Sequence, residues 1–333
     1  MSLVVAMKRR ALRAALLAVL VAVGAVGLAN PAAGQPVQVG PVTWRVTAGT
    51  ATADQAIQAN AFLPREIFIN VGDTVTWTVG SGEFHTVTFL SGGPRPPLVI
   101  PAPDGGVQFN PVAVSPAGGP MYNGTGFVNS GLLFQGQTFS LTFTAPGDFT
   151  YVCLIHGLMT ATVHVRPAGT PYPHDQAFYD AQGRAQGAAI LGRGAGQTGQ
   201  ALAAALSRFP FDQVVAGVGD GETMGMRFLP QTLVVRQGQT VTWTNRDAEA
   251  PHTVTFGPEP SEDPLDAFAP AGTDAPGHAT ITAPGQAVNS GFIGVGLPFG
   301  TQFRVTFAAP GTYRYICALH DELGMVGTVV VVP

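Results

Sequence analysis

Polar and apolar residues alternate with a period of two along much of this chain, the pattern of strands with one buried face. Thr74-Val75-Thr76-Trp77-Thr78-Val79, Phe139-Ser140-Leu141-Thr142-Phe143, Thr253-Val254-Thr255-Phe256 and Arg304-Val305-Thr306-Phe307 all read this way, with turn signals such as Val71-Gly72-Asp73 and Ala145-Pro146-Gly147 between strands. The pattern is also written twice. LPREIFINVGDTVTWT (residues 63–78) returns as LPQTLVVRQGQTVTWT (residues 229–244), and FHTVTF (residues 84–89) returns as PHTVTF (residues 251–256). VNSG begins at both Val128 and Val288, and FTAPGDFTYVCLIH (residues 143–156) returns as FAAPGTYRYICALH (residues 307–320). A repeat offset of about 165 residues means tandem domains, since solenoid repeats run to ~20–50. The expectation is an all-β chain of two antiparallel sandwiches, residues 35–166 and 213–333, each large enough to hold its own core.

Residues 167–212 break the pattern and read as a spacer. Pro171 and Pro173 precede an Ala/Gln/Gly-rich stretch, and a short helix is predicted over residues 200–209. There Leu202, Leu206 and Phe209 share a face that would dock onto a sandwich. Gly194, Gly196 and Gly199 spell G-x-G-x-x-G, but no strand precedes them and no βαβ unit surrounds them, so they mark no dinucleotide site.

Composition narrows the function classes. Gly 43 and Pro 28 among 333 residues, with 46% hydrophobic and 11% charged, exclude both a helical bundle and a disordered chain. Lys8, the one lysine, stands near the start, so there is no Gly-Lys-Ser/Thr phosphate loop. The formal charge of −4 leaves no electrostatic footprint for nucleic acid. Lys8, Arg9, Arg10 and Arg13 precede an unbroken apolar run from Ala14 to Ala29, then the small residues Ala32, Ala33 and Gly34. That reads as an export signal over residues 1–34, with cleavage expected before Gln35 rather than a membrane anchor that stays attached. The run falls short of the ~20 residues that cross a bilayer, so the mature chain is expected to carry no membrane span and to work in the periplasm or outside the cell.

The chemistry lies in eight residues. Both cysteines of the chain occupy the same place in the two repeats. Cys153 is followed by His156 and Met159, and Cys317 by His320 and Met325; upstream, His85 and His252 follow the Trp-containing strands. One thiolate and two imidazoles with a weak axial thioether select copper for electron transfer, whereas zinc more often recruits a closed tetrahedral set. Two cysteines in an exported chain also allow a disulfide, which would require the two ligand loops to meet. Asn129 and Asn289, in the shared Val-Asn-Ser-Gly, read as turn residues, with bracing of the ligand loop as the other role; Tyr151 and Tyr315 read as packing near the site.

These motifs resemble the cupredoxins, the small blue copper proteins that include plastocyanin, amicyanin and pseudoazurin. CALHDELGMVGTVVV (residues 317–331) is similar to the plastocyanin end motif, and the C-x2-H-x2-M of Cys153 to the tighter amicyanin loop. The resemblance implies two Greek-key sandwiches, copper held by His85, Cys153, His156 and Met159 and by His252, Cys317, His320 and Met325, and a loop His near the surface as electron entry point. It implies type 1 sites cycling between Cu(II) and Cu(I), served by a redox protein donor and acceptor. The chain departs from plastocyanin in having Val152 and Ile316 where a tyrosine would precede the cysteine, and in lacking an evident acidic patch. The ligand loops differ by two residues, which predicts two distinct reduction potentials. A multicopper oxidase or nitrite reductase would need further histidines, yet no His-x-His occurs and His164, His174 and His278 have no repeat counterparts. A copper carrier or store would favour more exposed, exchangeable ligands.

Overall fold

The computed structural model describes residues 40–103, 106–207, 211–261 and 263–333. The export signal and Phe209 lie outside them. The first repeat forms β1 (Thr43–Ala51), β2 (Ile57–Leu63), β3 (Glu66–Asn70), β4 (Thr74–Gly80), β5 (Thr88–Phe89), β6 (Val99–Pro101), β7 (Val107–Phe109), the one-turn helix α1 (Pro111–Val114), β8 (Pro116–Ala117), β9 (Met121–Tyr122), β10 (Val128–Ser130), β11 (Thr138–Phe143), β12 (Gly147–Val152) and β13 (Thr160–Arg166). Helix α2 (Gln176–Leu206) follows. The second repeat forms β14 (Gln213–Gly219), β15 (Thr223–Leu229), β16 (Thr232–Arg236), β17 (Thr240–Asp247), β18 (Thr255–Phe256), β19 (His278–Ile281), β20 (Val288–Asn289), β21 (Gln302–Phe307), β22 (Gly311–Ile316) and β23 (Val326–Val332).

The alternation seen in the sequence becomes alternating burial. Along β4, Val75, Trp77 and Val79 point into the core while the threonines between them stay half-exposed. Trp77 packs edge-on against Phe89 and Tyr151, and Trp243 does the same against Phe256 and Tyr315. The sheets are mixed rather than purely antiparallel, because β1 runs parallel to β4 and β3 parallel to β13.

The two sandwiches share a sheet. Its order, β19-β21-β17-β14-β15-β2-β1-β4-β11-β9, reads the same from either end once equivalent strands are matched. At its centre β15 pairs antiparallel with β2, Met224 opposite Gln58, so an approximate two-fold axis passes through the seam. Every residue of β2 is buried, as a strand covered on both faces must be.

One covering layer is α2, 31 residues long and far longer than the helix expected over residues 200–209. Asp175 caps it by accepting the Phe178 N–H at 2.9 Å. Its buried stripe runs Tyr179, Gly183, Gly187, Ile190, Gly194, Ala201, Ala205, mostly residues too small to give an apolar periodicity. The glycines are needed for close approach: a Cβ at Gly183 would stand 3.0 Å from the Leu63 backbone, and one at Gly194 2.6 Å from Ile57 Cγ2. Ala201 and Leu202 meet Val215 and Leu229, so the helix straps both sandwiches; Leu206, expected on the docking face, is 52% exposed. Gly196 and Gly199 lie within this helix, as does Gly194, and no phosphate-binding loop forms there. Among the described residues no helix is long and apolar enough to cross a membrane.

Candidate metal centres

In each repeat the chain delivers its cysteine at the end of one strand and its upstream histidine beside it. His85 is held by paired backbone bonds with Leu133, at 3.0 and 2.8 Å, and His252 by the same pairing with Ile293, at 3.0 and 2.9 Å. Cys153 leaves β12 and its N–H donates to the Met159 carbonyl at 2.9 Å, closing the loop that carries His156. Cys317 N–H donates to the Met325 carbonyl at 3.0 Å in the same way, around a loop two residues longer that fits a 3-10 turn at Asp321–Leu323. Met159 and Met325 are buried at the foot of the next strand.

His85, Cys153 and His156 come together, as do His252, Cys317 and His320. In the first set the two Nδ1 atoms are 3.1 Å apart and lie 3.9 and 3.7 Å from Cys153 Sγ. In the second they are also 3.1 Å apart, at 3.7 and 3.4 Å from Cys317 Sγ. Donors held ~2.0–2.3 Å from one metal, the usual bond lengths to His nitrogen and Cys sulfur, stand about 3–4 Å from one another, so both sets fit a single ion. Both cysteines are free and belong to separate clusters, which rules out the disulfide.

Burial sets the protonation states. It holds His156 and His320 down to about 3 and His85 and His252 well below the usual imidazole value, so all four present lone pairs. It pushes both thiols up, Cys317 to about 11. A thiol so reluctant to ionise becomes a thiolate only against a bound cation.

A hydrogen-bonded frame, unread in the sequence, holds each set. Thr86 donates its N–H to Cys153 Sγ at 3.4 Å, and its Oγ1 accepts the Leu154 N–H at 2.8 Å and meets Thr88 Oγ1 at 3.0 Å. Thr88 Oγ1 donates to Asn129 Oδ1 at 2.9 Å, whose amide donates to the carbonyls of Val112, Ala113 and Ser115. Thr253, Thr255 and Asn289 repeat the chain beside Cys317. Asn129 and Asn289 are therefore strand residues that brace the ligand loops rather than turn residues. Spaced Thr-x-Thr after each upstream histidine was the available signal. Gly49 and Gly217, at φ +70° and +76°, close the frame: a Cβ on either would overlap the adjacent His85 or His252 ring.

The loop histidines do not reach solvent. His156 is 4% and His320 6% exposed, because each ligand loop packs against the other sandwich. Gly157 N–H donates to Glu249 at 3.0 Å, and Leu323 lies against Gly82, where a Cβ would stand 2.5 Å from its Cδ2. Between the two loops lies Glu83, itself buried, with His156 Nε2 3.9 Å from one carboxylate oxygen and His320 Nε2 3.8 Å from the other. Burial, with Asp247 nearby, pushes the Glu83 carboxyl up to about 7. His164 pairs with Asp148, His174 stacks on Phe178 and His278 pairs with Asp274, each apart from both sets.

Comparison with known proteins agrees with this geometry. The profile of copper binding proteins, plastocyanin/azurin family, matches residues 50–166 and 213–332. Chloroplastic plastocyanin of Pisum sativum is 33% identical over 124 residues, 36% of this chain and 58% of that protein. Plastocyanin of Vicia faba is 32% identical over 124 residues, 36% of this chain and 98% of that protein. Plastocyanin of Synechococcus sp. (strain JA-2-3B'a(2-13)) is 34% identical over 102 residues, 31% of this chain and 61% of that protein. The chain thus spans about three fifths of the length of the pea and Synechococcus relatives. An oxidized amicyanin mutant aligns at 22% identity and a TM-score of 0.23, over 37% of this chain and 81% of that one, too slight a likeness to add to the argument. With its family profile matched once in each sandwich, the chain belongs to the plastocyanin/azurin family of copper-binding proteins.

Proposed function

We propose that this chain is an exported carrier of single electrons with a type 1 Cu(II)/Cu(I) centre in each sandwich. His85, Cys153, His156 and Met159 hold one copper; His252, Cys317, His320 and Met325 hold the other. The domains run over residues 35–166 and 213–333, with 167–212 between them. The observation that carries this reading is the buried Cys-His-His set, formed twice at matching separations. Copper supplies a one-electron couple there, with soft sulfur favouring Cu(I) and imidazole serving both oxidation states. The protein contributes rigidity: Thr86 and Thr253 donate to sulfur and fix each ligand loop, so the donors keep their places through both states.

The chain has no substrate chemistry of its own in this reading. The three histidines outside the two sets stand apart, paired or stacked elsewhere, which argues against a catalytic copper like that of a multicopper oxidase or nitrite reductase. The burial of both sets argues against a carrier or store that gives up its metal readily. The partners are a redox protein donor and acceptor. Visible absorption of the copper-loaded protein, with copper per chain by elemental analysis, tests the proposal. An intense thiolate-to-copper band with two coppers is expected; a colourless protein overturns it, and one copper removes one centre.

A further inference from the structure

Among the described residues, Glu83 is the one charged side chain with an ion-pair contact to both centres. It sits in the segment between β4 and β5, two residues before His85, and at the matching place before His252 the chain has Ala250. One carboxylate therefore faces both sets. Its side chain is 7% exposed, and those of His156 and His320 are 5% and 8%. The segment is clamped from both sides: Gly82 N–H donates to Gln58 Oε1 at 3.2 Å, and a Cβ at Gly82 would stand 2.5 Å from Leu323 Cδ2 of the second ligand loop.

Which imidazole nitrogen faces which neighbour follows from the same geometry. The Nδ1 atoms of His156 and His320 face the cysteines, and their Nε2 atoms face Glu83. An imidazole that gives Nδ1 to a metal keeps its proton on Nε2, and ligating histidines commonly direct that N–H to a carboxylate. A buried carboxylate in turn needs such partners to compensate its desolvation.

We infer that Glu83 is a positioning residue shared by the two centres, receiving His156 on one carboxylate oxygen and His320 on the other and tying the electron affinity of both to one charge. The inference rests on the copper reading above. It accounts for the burial of both loop histidines, since a contact of this kind requires the two sandwiches to close over it. It also makes the centres interdependent: a displacement of either ligand loop moves the charge that the other one senses.

The test uses Glu83→Gln in the full chain and in its single-centre forms, Cys153→Ser and Cys317→Ser. In the metal-free full chain, NMR of the imidazole Nε2–H groups is expected to show both His156 and His320 displaced by Glu83→Gln; displacement of one alone, or of neither, overturns the inference. In the copper-loaded single-centre forms at alkaline pH, where the Glu83 carboxyl is ionised, loss of the negative charge is expected to favour the reduced state by at least tenfold at each centre, ~59 mV for a one-electron couple, with the thiolate band retained. A shift confined to one centre overturns it. Glu83→Asp keeps the charge and should hold both potentials within threefold of the parent; a shift as large as that of Gln would show that charge is not what acts. If the parent protein shows no thiolate–copper band, the electron-carrier reading fails, and the metal-free imidazole signals still decide the role of Glu83.

Discussion

The two candidate metal centres share their donor residues and their frame but differ in what surrounds them. Donor separations match to within a few tenths of an ångström, and the Thr-Thr-Asn chain is the same in both. Around His85, however, Ser81 Oγ lies 2.8 Å from Nε2. Counted from the core tryptophans, the matching place in the second repeat is Asp247, whose Oδ1 accepts the N–H groups of Glu249 and Ala250. Its Oδ2 and His252 Nε2 are both buried without a hydrogen-bond partner. The two repeats thus keep the same donors and differ in two places, the length of the ligand loop and the segment just before the upstream histidine.

Removing one centre at a time should have the largest effect. Cys153→Ser and Cys317→Ser should each lose one copper and one thiolate band while leaving the other, and redox titration of the pair should give two different potentials. Coincident potentials would show that the surrounding differences have no electronic weight. Next in size is Gly217→Ala, or its twin Gly49→Ala. At these positive φ values an alanine is strained by about 1–2 kcal/mol before its Cβ meets the imidazole. We expect copper content to fall to one per chain in either variant, with elemental analysis as the measure; two coppers retained would mean the frame yields.

Acid should expose the shared burial of the centres. In metal-free protein His156 and His320 stay neutral to about 3 and burial holds His85 and His252 well below the usual imidazole value, while unfolded imidazoles protonate near 6.5. The unfolded state therefore binds more protons in between, and stability present above pH ~6.5 is lost as pH falls toward 3. Glu83 and Asp247, raised to about 7 and about 6, oppose this by holding protons in the folded state, but they are two groups against four. Thermal melts from pH 7 to 4 should show a falling midpoint without metal and a shallower fall with copper; a flat metal-free profile would contradict the burial of the imidazoles. The smallest change is Ser81→Ala, which leaves His85 as bare as His252. It should cost about 1 kcal/mol and move the potential of the first centre toward that of the second, leaving the second in place. Voltammetry of the Cys317→Ser form isolates that shift.

Most of this was readable along the chain wherever neighbours in sequence are neighbours in space. Alternating strands such as β4 and β21 declare their buried faces, and Cys-x-x-His places two donors in one loop. Glu83 was not readable, because its partners lie 73 and 237 positions away and nothing in the second repeat answers to it. Helix α2 was foreshortened because a stripe of Gly and Ala carries no hydrophobic period, although it is what close approach to the sheet demands. The burial of His156 and His320 was likewise hidden, since it comes from the opposite sandwich and the motif resembles one with an open loop.

The seam between β2 and β15 has a consequence of its own. An antiparallel pairing centred on an approximate two-fold axis is the contact that two identical subunits make when each offers the other the same edge. The present chain thus has the form of a homodimer whose protomers have been joined head to tail by α2. Cut at that helix, each half would present a fully buried strand as a bare edge, so the halves should seek one another, or copies of themselves, rather than stand alone.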